Sequence, residues 1–260
     1  MLGRMVNSLL QPAGYQMKRL EADPAAVESI REVEALCREK VFPTMLRCEG
    51  RASLLAKLVG TSLVEALFLL NELSQAQQLN GDVCEFGVAQ GATSALIGNE
   101  IRHTSKTLWL FDSFEGLPRP TEKDKLIDDV FSLGSIENYQ GQMAVKQKSV
   151  VSRLRNSGIP LDRVQIVPGF IEETSKKASL PDSVCFAYVD FDFYEPILIA
   201  LRLLAFRLPV GGRVVIDDYG FFSAGAQAAV DEFMLESKGA FDRRLPPPGC
   251  GHFAMMTRLR

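Results

Sequence analysis

Histidine is almost missing from this sequence: His103 and His252 are the two in 260 residues. That leaves no basis for a His-rich metal site and little for a Ser-His-Asp triad. His103 falls at the C-terminal end of an expected helix, where a cation complements the helix dipole. His252 follows a Pro-Pro-Pro-Gly-Cys-Gly loop. Paired cysteines are missing too. Cys37, Cys48, Cys84, Cys185 and Cys250 are odd in number, widely spaced and without a C-x-x-C pair. They read as reduced, mostly buried thiols of a cytoplasmic protein. No apolar run reaches the ~18–20 residues of a membrane span. Met1-Leu2-Gly3-Arg4-Met5 lacks the apolar core and small-residue cleavage site of a secretory signal. There is no basic excess either: the net charge is −3, which argues against a nucleic-acid partner.

What is present is an ordinary globular balance, 47% hydrophobic and 23% charged, in a chain long enough for one large core. Residues 1–80 read as a helical extension, a lid or a dimer arm. Asp23-Pro24 is a helix start, and Val27, Ile30, Val33, Leu36 and Cys37 follow at helical spacing. A second apolar helical stretch runs from Ala52 to Leu79, with Gly60 a place for it to split. From residue 81 to 260 apolar strands alternate with helices. Strands are expected at Asp82–Gly87, Thr107–Phe111, Arg163–Val167, Ser183–Val189 and Arg213–Ile216, with two more near Phe241–Leu245 and Phe253–Arg258. That alternation predicts an α/β fold with right-handed crossovers and a mostly parallel sheet. The last two strands, joined only by a loop, predict an antiparallel edge strand. Ligands on such sheets bind beyond the carboxyl ends of the strands.

Chemistry-bearing residues stand at those ends. The first strand runs into Glu85-Phe86-Gly87-Val88-Ala89-Gln90-Gly91-Ala92-Thr93. Its E-x-G-x-x-x-G spacing is not the G-x-G-x-x-G of a pyrophosphate turn. Glu85 suits a ligand with a positive group, such as the ammonium of a methionine moiety. Asp112 ends the second strand, about 20 residues past the glycines, where an acidic side chain accepts ribose hydroxyls; its alternative role is to cap the next turn. Two further strands end in Asp190-Phe191-Asp192 and Asp217-Asp218. Carboxylates gathered there repel one another, and a hard divalent cation such as Mg²⁺ relieves this. Asp190, Asp217 and Asp218 are the expected ligands. The segment Pro118 to Ser135 is long and charged, and is expected to be mobile and to close over an acceptor.

These segments together resemble the macrocin O-methyltransferase family, whose members methylate sugar hydroxyls. The residues carrying the resemblance are Gly81-Asp82-Val83-Cys84-Glu85-Phe86-Gly87, Phe111-Asp112-Ser113-Phe114-Glu115-Gly116-Leu117-Pro118, Val167-Pro168-Gly169-Phe170, Val189-Asp190-Phe191-Asp192-Phe193-Tyr194-Glu195 and Ile216-Asp217-Asp218-Tyr219-Gly220. The resemblance implies a Rossmann-like class I methyltransferase sheet of seven strands. It implies S-adenosylmethionine as donor, held by Glu85, Phe86, Gly87, Gly91, Thr93, Asp112, Ser113, Gly169, Phe170 and Asp190. It also implies Mg²⁺ at Asp190, Asp217 and Asp218, a small-molecule acceptor with a sugar or polyol hydroxyl, and a homodimer. Phe191 and the stretch Gly225-Ala226-Gln227-Ala228-Ala229 depart from the family's pattern.

The chemistry so expected is methyl transfer from a sulfonium to oxygen. A bound metal lowers the hydroxyl's pKa, and Asp190 or Asp192 takes its proton. Three alternatives compete. A haloacid-dehalogenase-type phosphatase also uses strand-D-x-D and a second acidic strand end, but has Thr or Val where Tyr194 stands. A nicotinamide oxidoreductase shares the sheet plan but needs other glycine spacing. A donor-binding scaffold without catalysis is the third.

Overall fold

Asp23 accepts the Ala25 N–H at 3.0 Å and Pro24 follows at the first helical position, so the helix starts where a side-chain cap and a preset φ coincide. The computed structural model describes residues 23–177 and 179–260. The first 22 residues of the expected helical extension therefore lie outside the described residues. Helix α1 spans Pro24–Lys40, α2 Arg51–Leu55 and α3 Leu63–Ala76, with Gly60 at φ 89° between α2 and α3, as the expected split requires.

Helix α1 corrects one expectation. Ile30 and Cys37 pack against the core, but Val33 and Leu36 are 43% and 59% exposed while Glu34 is buried. The reason is a tertiary partner. Arg51, with no exposed surface, holds Glu34 at 2.7 Å and rotates the charged stripe of the helix inward.

The rest alternates as expected: β1 Asp82–Phe86, α4 Ala92–Ile101, β2 Leu108–Asp112, α5 Gln147–Asn156, β3 Val164–Pro168, α6 Ile171–Lys177, β4 Val184–Val189, α7 Tyr194–Ala205, β5 Arg213–Ile216, α8 Ala224–Glu236, β6 Phe241–Arg244 and β7 Ala254–Arg258. The seven strands lie in the order β3-β2-β1-β4-β5-β7-β6. The pairings are parallel from β3 to β5, whereas β7 runs antiparallel between β5 and β6. This is the α/β class anticipated, with its antiparallel ending.

One core, built from α3 to α5 and including Leu69, Leu70, Leu96 and Tyr188, covers one face of the sheet. A second, with Phe86, Ile197, Leu201 and Val230, covers the other. Because side chains alternate along a strand, Glu85 of β1 and its register neighbour Tyr188 of β4 share a face, the one that α3 lies on. No helix among the described residues is long and apolar enough to cross a membrane.

Candidate active site

The chain leaves β1 in opposite lateral directions, to β2 and β3 on one side and β4 and β5 on the other. A crevice therefore opens at the carboxyl ends of β1 and β4. Its floor is tight. Gly87 sits at φ 87°, and a Cβ there would lie 1.8 Å from the Asp190 carbonyl oxygen, so only glycine lets the β1 turn pass the end of β4. Four turns at this edge hold non-glycine residues at positive φ: Ala89, Phe114, Asp192 and Asp218. Such backbone persists where surrounding contacts impose it, and clusters at functional sites.

On the β1–β2 side, Glu85 is 1% exposed and its Oε2 has no hydrogen-bond partner. Burial pushes its pKa up to about 8, opposed by the Ser94 hydroxyl and reinforced by the Asp112 charge. A buried carboxyl with a free oxygen is chemically ready for a cationic or hydrogen-bond-donating ligand. Asp112 stitches the turns together: Oδ2 accepts the Val88 and Ala89 N–H groups at 2.7 and 3.0 Å, and Oδ1 accepts that of Phe114 at 2.6 Å. The capping role thus operates, and Oδ1 retains one acceptor site.

The other expected donor-site residues are placed as follows. Thr93 opens α4 and its hydroxyl meets Thr61 at 3.3 Å. Gly91 precedes it at φ 74°. Ser113 is held in its own turn by the Gly116 carbonyl and the Glu115 N–H. The Gly169 N–H donates to the Asp112 carbonyl, and Phe170 lines a pocket of about 420 Å³ with Glu115, Pro118, Arg119 and Glu172. The Phe86 ring turns away into the core, stacked on Phe111 at 4.6 Å with Phe191 edge-on; only its backbone faces the crevice, where its carbonyl accepts the Asp190 N–H. A cavity of about 490 Å³ lies elsewhere, between α1 and the segment around Arg47 and Arg51.

On the β4–β5 side the acidic tips do meet. The Tyr188 hydroxyl donates to Asp217 Oδ2 at 2.6 Å, and Asp217 Oδ1 accepts the Asp218 N–H at 2.7 Å. The Asp192 and Asp218 carboxyls are in hydrogen-bonding contact. Burial, then the charges of Asp217, Asp192, Asp218 and Glu65, holds Asp190 well above the usual carboxylate range. Burial lifts Asp192 to about 7 and Asp218 to about 9, in the latter with help from Asp217 and Asp192. Among the described residues none of these groups has a Lys or Arg ion-pair partner. Nor do three His, Cys, Asp or Glu side chains there form a ready-made metal-binding group. The side chains at this edge are all oxygen donors, the ligand type a hard cation takes, but the expected set Asp190, Asp217 and Asp218 is not gathered into such a site among the described residues.

Sequence reasoning missed two residues. Glu65, inside the apolar run of α3, is 6% exposed; burial and then the Asp217 charge push it up to about 10. A single acidic residue in the run 63–70 was the available signal. Asp124, 2% exposed, accepts the Tyr194 N–H at 2.8 Å and the Thr121 N–H at 2.7 Å. The Ile127 N–H donates to the Phe222 carbonyl. The segment from Pro118 to Ser135 is therefore pinned to the turns after β4 and β5, a correction to the mobile lid expected. A charge-rich composition cannot reveal that one of its aspartates caps a distant helix. His252 stacks on Phe221 at 4.9 Å, while His103 is exposed beside Arg102.

Comparison with known proteins accords with this layout. A family model described as macrocin-O-methyltransferase (TylF) matches residues 16–240. The 8-demethyl-8-(2,3-dimethoxy-alpha-L-rhamnosyl)-tetracenomycin-C 4'-O-methyltransferase of Streptomyces olivaceus is 30% identical over 62% of this chain and 62% of its own length. The demethyldecarbamoylnovobiocin O-methyltransferase of Streptomyces niveus is 28% identical over 81% of this chain and 79% of its own. The solved O-methyltransferase NovP superposes with TM-score 0.64 and 23% identity, over 76% of this chain and 81% of that one, a likeness of fold.

Proposed function

This chain belongs to the macrocin-O-methyltransferase family and is by that membership an S-adenosylmethionine-dependent O-methyltransferase; we propose that it methylates a sugar hydroxyl of a glycosylated natural product with the help of a divalent cation. The observation that carries this reading is the set of uncompensated carboxyl groups at Asp190, Asp192, Asp217 and Asp218, beside a glycine turn whose buried Glu85 has a free oxygen. The relatives that match act, by their names, on rhamnosyl-tetracenomycin and on a novobiocin precursor, and a sugar acceptor is carried to this chain on that support. Family membership displaces the phosphatase and nicotinamide alternatives.

In this reading Glu85 takes the donor's ammonium group, and the remaining acceptor site of Asp112 Oδ1 takes a ribose hydroxyl. Gly87 keeps the crevice open at that point. Asp190, Asp217 and Asp218 would hold Mg²⁺ or a similar ion, which when bound acidifies an acceptor hydroxyl and fixes its direction. Asp190 or Asp192 receives the hydroxyl proton; the oxygen then bonds to the methyl carbon as the carbon–sulfur bond breaks, leaving a neutral thioether. The protein's main contribution is alignment of oxygen, methyl and sulfur.

The test is transfer of labelled methyl from S-adenosylmethionine to p-nitrophenyl α-L-rhamnopyranoside, with Mg²⁺ and with excess chelator. Transfer that requires the cation is expected. Full turnover in chelator removes the metal from the reading, and no transfer to the glycoside removes the sugar acceptor.

A further inference from the structure

Ser62-Leu63-Val64-Glu65 has the sequence of a capping box, in which the Glu side chain returns to the N–H of the capping residue. Half of the box forms. Ser62 Oγ accepts the Glu65 N–H at 3.1 Å, but the Glu65 carboxyl lies instead against Asp217 and Tyr188. It is 6% exposed, and Oε1 has no hydrogen-bond partner. A buried polar atom without a partner is uncommon enough in folded proteins to call for an explanation. Just before α3, Thr61 of the same extension reaches Thr93 at the head of α4. The N-terminal extension therefore meets the sheet domain at two points, the head of α4 just after the glycine turn and the acidic edge at Asp217.

In the reading above, the donor's polar groups take their partners on the β1–β2 side, at Glu85 and Asp112. Glu65 lies on the far side, next to Asp217, where the nucleophilic oxygen must enter. We propose that Glu65 is an acceptor-binding residue, its unpaired Oε1 receiving a hydrogen bond from a sugar hydroxyl adjacent to the one that is methylated. The inference rests on the sugar-methylating reading above and adds to it a specificity contact supplied by the helical extension.

The variant Glu65→Leu keeps the side-chain volume and removes both oxygens, whereas Glu65→Gln keeps one acceptor oxygen. With p-nitrophenyl α-L-rhamnopyranoside, Glu65→Leu raises the acceptor KM by about tenfold or more with kcat nearly unchanged, the signature of a lost binding contact. Glu65→Gln recovers most of that loss. S-adenosylhomocysteine binding by calorimetry and Tm stay at wild-type values, or Tm rises because the orphaned oxygen is gone. An unchanged KM in Glu65→Leu overturns the inference. So does a KM increase that comes with a lower Tm and weaker S-adenosylhomocysteine binding, since that marks a structural role. A shift in Mn²⁺ affinity, read by electron paramagnetic resonance, with KM unchanged would make Glu65 a cation ligand and overturn it as well. Failure of the wild-type enzyme to methylate the glycoside defeats the underlying reading first, and this inference with it.

Discussion

Two groups of buried acidic side chains meet opposite fates in this molecule. Between α1, α2 and α4, the Glu34 and Glu100 carboxylates are answered by Arg51, which has no exposed surface and binds Glu34 at 2.7 Å and Glu100 at 2.6 and 2.8 Å, with Arg38 a second cation 3.6 Å from Glu34. Glu72 is likewise held by Arg213 and Arg244. At the carboxyl edge of β4 and β5, Glu65, Asp190, Asp192, Asp217 and Asp218 lie near one another and Tyr188, with no Lys or Arg ion-pair partner among the described residues. Burying charge is tolerated when it is paired and hydrogen-bonded. The first group meets that condition within the chain and serves the fold. The second does not within the described residues, and that unmet demand is what the proposed cation would answer.

The comparison can be broken at its paired side first. Arg51→Ala leaves the buried Glu100 carboxylate unanswered and Glu34 with Arg38 alone, and should cost about 3–5 kcal/mol of stability, measured by urea unfolding; a cost under about 1 kcal/mol would place it with surface pairs. The mirror experiment is Asp217→Asn. Methyl transfer should fall by about 10²–10³-fold, or roughly 2.7–4 kcal/mol, while Tm holds or rises because like-charge repulsion is relieved. A large loss of stability there would make the acidic edge structural.

Glu85 sharpens the contrast through pH. Its folded pKa, about 8, lies above that of an exposed Glu. The stability it contributes is thus complete below pH about 4 and is lost as pH rises through its folded value. The unliganded protein should soften from pH about 4.5 to about 8, and Glu85→Gln should flatten that slope. Over the same range an ammonium-bearing donor should bind more tightly as Glu85 ionises, by up to about tenfold per pH unit below 8. Calorimetry with S-adenosylhomocysteine from pH 6.5 to 8 checks this, and a pH-independent affinity counts against the Glu85–ammonium contact. The smallest effect belongs to the exposed pair Arg202–Glu236. Arg202→Ala should change stability by about 0.2–1 kcal/mol, which sets the baseline for pairing in water.

Much of the sheet was legible from local pattern. Strands expected at Asp82–Gly87 and Thr107–Phe111 appear at Asp82–Phe86 and Leu108–Asp112, and Arg213–Ile216 appears as read. That Asp190, Asp217 and Asp218 stand at the ends of neighbouring strands was legible in the same way; their assembly into a ready-made cation site, which that reading expected, is not found among the described residues. Hidden from that reading were the inward turn of Glu34, the diversion of Glu65 from its capping box, and the pinning of the 118–135 segment by Asp124. Each involves partners far along the chain: Glu34 with Arg51, Glu65 with Asp217, Asp124 with Tyr194.

By itself, then, the order of residues determined where strands and helices begin and which strand tips carry acid. Those outcomes depend on backbone geometry and on periodicities of two and about 3.6 residues, which any short window contains. Only the tertiary structure decided which carboxylates find an arginine and which stay uncompensated. That is a matter of distance and desolvation between groups that the chain brings together from far apart, and no local pattern encodes it.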